Sequence, residues 1–297
     1  MADAAGNLAL SFTSPNPLKR FWWIFRRSCV SAYRDNVFGI AKGAAYSALL
    51  SFFPVLTTVT AILVQANAHR VSRSLAALVF QVVPPGTEDI VMWNFTERGA
   101  RPVSLLISAA LLSVWAASGV MLSLMEGFRA AYRIPQGRSF LRQRGVAALL
   151  VFCAALPVII ASALLVFGTR IEGFVLTKIG VLEKGERLVG WLPVVAQLAR
   201  TLVAIGAIIA GTCMLYHLGP NPRRPLRTVW HGAILSTLLW WITTTGFAWY
   251  VRNIAHYNVL YGSVGAVIAL LVWMYLLSVI ALIGCEYNAQ RDRLAAH

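Results

Sequence analysis

What most constrains this chain is a series of apolar blocks long enough to cross a lipid bilayer. The hydrocarbon core is about 30 Å thick, so a helix rising 1.5 Å per residue needs roughly 20 apolar residues to span it. Blocks of that kind occupy about residues 37–64, 103–125, 146–168, 192–216, 229–251 and 259–285. No water reaches backbone N–H and C=O groups inside the hydrocarbon, so each block must be a helix or part of a closed barrel. Barrel strands alternate apolar with polar residues, whereas these blocks are continuous and rich in Leu, Ala and Val. The expected fold is an all-α polytopic membrane protein. It has six transmembrane helices and short amphipathic interfacial helices.

Composition points the same way: 58% of the 297 residues are hydrophobic and 12% charged, against about 25% charged in soluble domains. No hydrophilic stretch is long enough to fold alone. Residues 37–287 therefore read as one transmembrane domain, with a cytoplasmic N-terminal segment at 1–36 and a cytoplasmic tail at 288–297. The N-terminal segment does not read as a signal peptide, because its first apolar piece is short and interrupted by charge. That piece, Lys19-Arg20-Phe21-Trp22-Trp23-Ile24-Phe25-Arg26-Arg27, mixes aromatic with basic residues. It suits a helix lying among lipid headgroups or an ordinary juxtamembrane anchor.

The basic residues orient the bundle. With six spans, the termini and the second and fourth loops share one side. That side carries fifteen Lys and Arg, among them Arg26, Arg27, Arg138, Arg142, Arg223 and Arg224, against nine opposite. Glu88, Asp89, Glu97, Glu172, Glu183 and Glu186 all fall on the less basic side. The positive-inside rule then places both termini in the cytoplasm. The formal charge of +15 is thereby explained by topology and anionic lipid rather than by nucleic acid. In the first outer loop, residues 68–83 and 88–98 have helical apolar spacing and are expected to be amphipathic helices on the outer surface.

Charges within or bordering the spans are the candidate site, because ionisable groups there are costly and face a protein interior or a wet cavity. Lys42 lies about two turns into the first span, while Glu126 and Glu286 end the second and sixth on the same side. Lys42 is expected either to pair with Glu126 or Glu286 or, like them, to snorkel separately to the headgroups. Arg200, early in the fourth span, either snorkels outward or holds an anionic headgroup, which a planar guanidinium suits. Ala41 with Ala45, Gly206 with Ala210 and Gly262 with Ala266 are pairs of small residues that permit close helix approach. Pro54 and Pro157 are positioned to kink their helices. The histidines are scattered without paired spacing and no CxxC occurs. No metal, cofactor or enzymatic centre is expected.

Several of these segments together resemble the YihY/virulence factor BrkB family. They are Asp35, then Ala41 to Pro54 with Tyr46 inside it, Leu215-Tyr216 followed by a Pro-rich basic loop and Gly232-Ala233, Tyr261-Gly262-Ser263-Val264-Gly265-Ala266, Trp273-Met274-Tyr275, and Gly284-Cys285-Glu286-Tyr287-Asn288. Departures are His231 where Pro is common, and Cys285 and Tyr287 where Ala and Leu are. The resemblance implies a bacterial inner-membrane protein of the cell envelope, of a family linked to serum resistance and envelope lipid export and formerly labelled ribonuclease BN. No Walker motif is present to drive transport. The expected function is to transport or accommodate an anionic lipid or amphiphile, with membrane lipids as partners. The alternative is a membrane scaffold for envelope machinery.

Overall fold

The computed structural model describes residues 17–65, 103–135, 137–178, 192–253 and 263–295. Among these the regular structure is entirely helical. The elements are α1 (Pro17–Arg34), α2 (Val37–Gln65), α3 (Val103–Ala131), α4 (Phe140–Lys178), α5 (Leu192–Leu218), α6 (Leu226–Asn253) and α7 (Ser263–Ala295). The outer-loop helices expected at 68–83 and 88–98, together with Tyr261 and Gly262, lie outside the described residues.

The helix α1 is amphipathic. Ile24, Ser28, Ser31 and Ala32 form its buried stripe, and this i, i+4, i+7, i+8 spacing marks one helical face. Ile24 packs with Leu235 of α6 and Tyr287 of α7, while Leu18, Trp22 and Tyr33 stay exposed. The chain turns into α2 at Asp35-Asn36. Asn36 has a φ of 53°, a left-handed conformation that Asn adopts more readily than most residues. Its carbonyl accepts the Ile40 N–H as the first bond of the next helix.

The remaining six helices form a ring. Each consecutive pair from α2 to α7 is packed together, and α7 returns to α2 to close the circuit. The last helix also crosses α3 and carries α1 on its flank. One side of the ring is thus pinched shut by α3 against α7, whereas α4 and α5 reach α7 chiefly through α6.

Five helices, α2, α3, α4, α5 and α7, are long and apolar enough to cross a membrane. The exception is α6, where His231 and Thr243-Thr244-Thr245 dilute the apolar run expected at 229–251, and Arg227 and Arg252 bound it. Its 28 residues nevertheless make it about 42 Å long, and it packs between α5 and α7 like its neighbours. Several helices also run past the apolar blocks. Polarity ends a hydropathy block but does not end a helix, so α3 continues to Ala131 and α7 to Ala295. Residues 288–295, expected as a tail, are the last turns of α7, and Asn288, Ala289 and Gln290 are buried there.

Small residues set the helix contacts. Ala41, Ala44 and Ala45 of α2 are buried. Gly127 of α3 faces Leu282 of α7, and Gly211 of α5 faces the Pro157 ring of α4. Gly206, expected at a helix contact with Ala210, instead faces open space. The outer surface of the bundle is apolar, with Leu111, Trp115, Ile159 and Leu202 each more than half exposed. The guanidinium of Arg138 closes the end of α5 by donating to the carbonyls of Leu218, Gly219 and Pro220 at 2.8 to 3.0 Å. These belong to the last turn and cap, whose carbonyls lack partners within the helix.

Candidate functional site

Where α6 crosses α7, glycines bring the two backbones together. A Cβ on Gly232 would lie 2.2 Å from the Gly284 carbonyl oxygen, and one on Gly284 would lie 1.8 Å from Ser236 Oγ. Asn288, one turn beyond Gly284, locks the crossing. Its side-chain oxygen accepts the Gly232 N–H at 2.7 Å, and its amide nitrogen donates to the Val229 carbonyl at 2.9 Å. A third helix joins through Tyr216 of α5, which is fully buried. The Tyr216 hydroxyl lies 2.7 Å from Ser236 Oγ and donates to the Ala281 carbonyl at 2.6 Å. The Ser236 hydroxyl also reaches the Ile280 carbonyl at 3.3 Å, so the two hydroxyls share their protons between each other and the α7 backbone. The ring of Phe128 from α3 packs edge-on against Tyr216, with centroids 5.6 Å apart. Tyr216, Gly232, Gly284 and Asn288, scattered over 73 positions of sequence, thus meet in one junction; Ser236, which completes it, carried no sequence signal beyond its place one turn after Gly232.

A cavity of about 470 Å³ opens beside this junction, between α4, α5, α6 and α7. Its walls are mostly apolar, with Pro157 and Ala161 from α4, Ile208 from α5, Trp240 from α6 and Leu277 from α7. Its polar groups are the hydroxyls of Ser162, Thr212, Ser236 and Thr237. Thr212 and Thr237 donate to carbonyls one turn back in their own helices, so the lining offers little unspent polarity. The size falls within the roughly 300–1,000 Å³ usual for small-molecule sites. On α5 the cavity extends as far as Leu215, three residues from the end of that helix.

Basic groups gather at that same end. Arg138 lies close to Arg142 and Arg223, and burial, then these like charges, pulls its pKa below the ordinary arginine value. Arg224 stacks 4.2 Å over the ring of Tyr132, whose phenol burial pushes well above its usual range.

The candidate residues from the sequence are divided by the structure. Lys42 and Glu126 are exposed on the bundle surface, whereas Glu286 is wholly buried. Among the described residues no ion pair joins Lys42 to either carboxylate. Glu286 faces instead Asp35 and Ser31 at the α1–α2 corner and Arg293 two turns further along α7. Arg200 is half-buried and has a partner, two turns before the first cavity residue of α5. Tyr46 is 61% exposed and Pro54 half-buried on α2. Gly265 and Trp273 are buried on α7, with the Trp273 indole N–H 3.4 Å from Thr244 Oγ1. Among the described residues no group of three His, Cys, Asp or Glu is arranged to hold a metal ion.

Helices of membrane-crossing length, apolar outside and pinned within by glycine crossings and buried hydrogen bonds, define a polytopic membrane protein. The chain belongs to the family described as Virulence factor BrkB, which it matches over residues 29–296. It is 30% identical to YfkH of Bacillus subtilis strain 168, named as ribonuclease-like, over 84% of this chain and 89% of that one. It is 27% identical to a UPF0761 membrane protein of Alteromonas mediterranea, over 91% of this chain and 87% of the relative. A UPF0761 membrane protein of Alkalilimnicola ehrlichii is 26% identical over 86% of this chain, which spans about half that relative's length (55%). No solved structure matches the chain.

The junction makes a contrast that thermal melting in detergent will read. Gly232→Ala drives a methyl group into the Gly284 carbonyl oxygen, an overpacking expected to cost about 1–3 kcal/mol or more. Gly206→Ala, whose methyl group meets open space, is expected to be neutral or to stabilise by up to about 1 kcal/mol. Equal melting temperatures for the two variants would contradict the crossing.

Proposed function

We propose that this protein is a six-span inner-membrane protein with both termini in the cytoplasm, which binds or moves an anionic amphiphile and performs no chemistry on it. The observation that carries this reading is the apolar cavity lined by α4–α7. Aliphatic walls of that extent suit a hydrocarbon chain. A lining whose hydroxyls are mostly spent on backbone carbonyls adds little for a strongly polar ligand to engage. The anionic character rests on Arg142 and Arg223, which stand beside Arg138. Arg138 reaches the carbonyls at the end of α5, one turn past the cavity residue Leu215. Guanidinium groups bind phosphate and carboxylate oxygens through paired donors, so the headgroup would sit there with its chain in the cavity.

Orientation and the count of spans are part of the proposal. Packing of α6 within the ring supports a sixth span despite its lower hydropathy. The excess of basic residues on one side of the six-span arrangement supports a cytoplasmic location for both ends. The exposed Leu18 and Trp22 of α1, interleaved with Lys19 and Arg20, suit a helix resting in the cytoplasmic headgroup layer. The ribonuclease-like name of the Bacillus relative does not supply a reading for this geometry, which offers a greasy cavity and basic loops rather than a cluster of acids and histidines.

In a cysteine-free background, Ser139→Cys and Asn253→Cys place exposed thiols at opposite ends of the bundle. A membrane-impermeant maleimide applied to intact cells with a permeabilised outer membrane is expected to label position 253 and not 139. The reverse pattern would invert the topology. For the cavity, Thr212→Trp inserts an indole between the helices. Mass spectrometry of purified protein is expected to find co-purified anionic lipid that this variant loses and that Leu111→Trp, on the exposed face of α3, retains. Equal lipid content in both variants would count against the cavity, and a stable protein partner retained in place of lipid would favour a scaffold.

A further inference from the structure

At the opposite flank of α7 from the cavity, the corner between α1 and α2 presses an acid against an acid. Glu286 is 0% exposed. Both its carboxyl oxygens are buried and neither accepts a hydrogen bond. The groups that face it are Asp35 and Ser31 from the corner and Arg293 and Cys285 from its own helix. Around Arg293 stand Arg133, beyond the end of α3, and Arg27 of α1.

The two donors nearby each have a partner elsewhere. The Ser31 hydroxyl donates to Asp35 at 3.2 Å. The Arg293 guanidinium donates to the Ala131 carbonyl at the end of α3. Glu286 also faces a second acceptor in Asp35, and two facing acceptors lack only a proton between them. A buried carboxylate without partners is among the costliest groups a protein can hold. A proton on Glu286 removes that cost, because the acid can then donate to the neighbouring carboxylate.

We infer that Glu286 is a proton-binding site that donates its proton towards Asp35 and joins the α1–α2 corner to α7. With the proton in place, one carboxyl donates to the other and the orphaned oxygen is satisfied. Without it, two negative charges face each other across the contact between α7 and the corner. Arg293 is then drawn from Ala131 to neutralise them, or the corner lifts away. The site is thus a point at which proton uptake is converted into a shift of α1 and α2 against the last helix. It is independent of the cavity and of any cargo.

Infrared difference spectra test this on the full chain in liposomes. Wild type minus Glu286→Gln, at neutral pH, is expected to show the C=O stretch of a protonated carboxylic acid. Gln mimics the protonated acid in shape and in donating capacity, so the variant is expected to fold and melt like wild type. Hydrogen exchange supplies the second readout. As pH rises, residues 28–40 of wild type are expected to lose protection relative to Glu286→Gln at the same pH. Absence of the carboxylic-acid band from the difference spectrum, or protection that follows the same course in both proteins, would overturn the inference.

Discussion

Between α6 and α7 two helix backbones touch, because Gly232 and Gly284 put no side chain in the way. In a bilayer the lipid is as apolar as the helix surface, so association depends on packing and on hydrogen bonds rather than on hydrophobic burial. The crossing supplies both. Its closeness lets Asn288 reach the backbone of α6 at two points, and lets Ser236 and Tyr216 tie α5 to the same place. Phe128 then brings α3 onto Tyr216. With α5, α6 and α7 fixed together at one level, α4 can lean on α5 through Pro157 and Gly211, and the space left among the four helices is the cavity.

Much of this was legible in the sequence, for identifiable reasons. Membrane thickness sets a length, and the six apolar blocks were long enough to be read as helices. Their ends were less legible, since Glu286, Asn288 and Gln290 break the hydropathy pattern while α7 continues and buries them. Tyr216, Gly232, Gly284 and Asn288 stood out as motif residues, but only their meeting in space shows what they do. The pairing of Lys42 with Glu126 or Glu286 was inferred from depth alone. Depth does not fix rotation about a helix axis: Lys42 and Glu126 project outward, and Glu286 projects inward to Asp35. Ser31 and Arg293, which complete that corner, were invisible because nothing in the chain marks an ordinary serine and a terminal arginine as neighbours.

Two features with different chemistry flank the last helix. On one side lies an apolar cavity with arginines near its end. On the other lies the buried acid Glu286, facing Asp35 beside an amphipathic helix. Both depend on α7, which contacts α1, α2, α3 and α6.

The central claim is that the α4–α7 cavity, and not merely the apolar outer surface, receives an amphiphile. Photo-crosslinking from inside the bundle tests it most directly. A benzophenone side chain at Ile208, in the cavity wall, can be compared with one at Leu111 on the exposed face of α3, in native membranes. The account predicts that position 208 captures a lipid population enriched in anionic amphiphile, that position 111 captures the bulk mixture, and that Ala161→Trp abolishes capture at 208 alone. Identical lipid populations at both positions, or capture at 208 that survives the filled cavity, would contradict it.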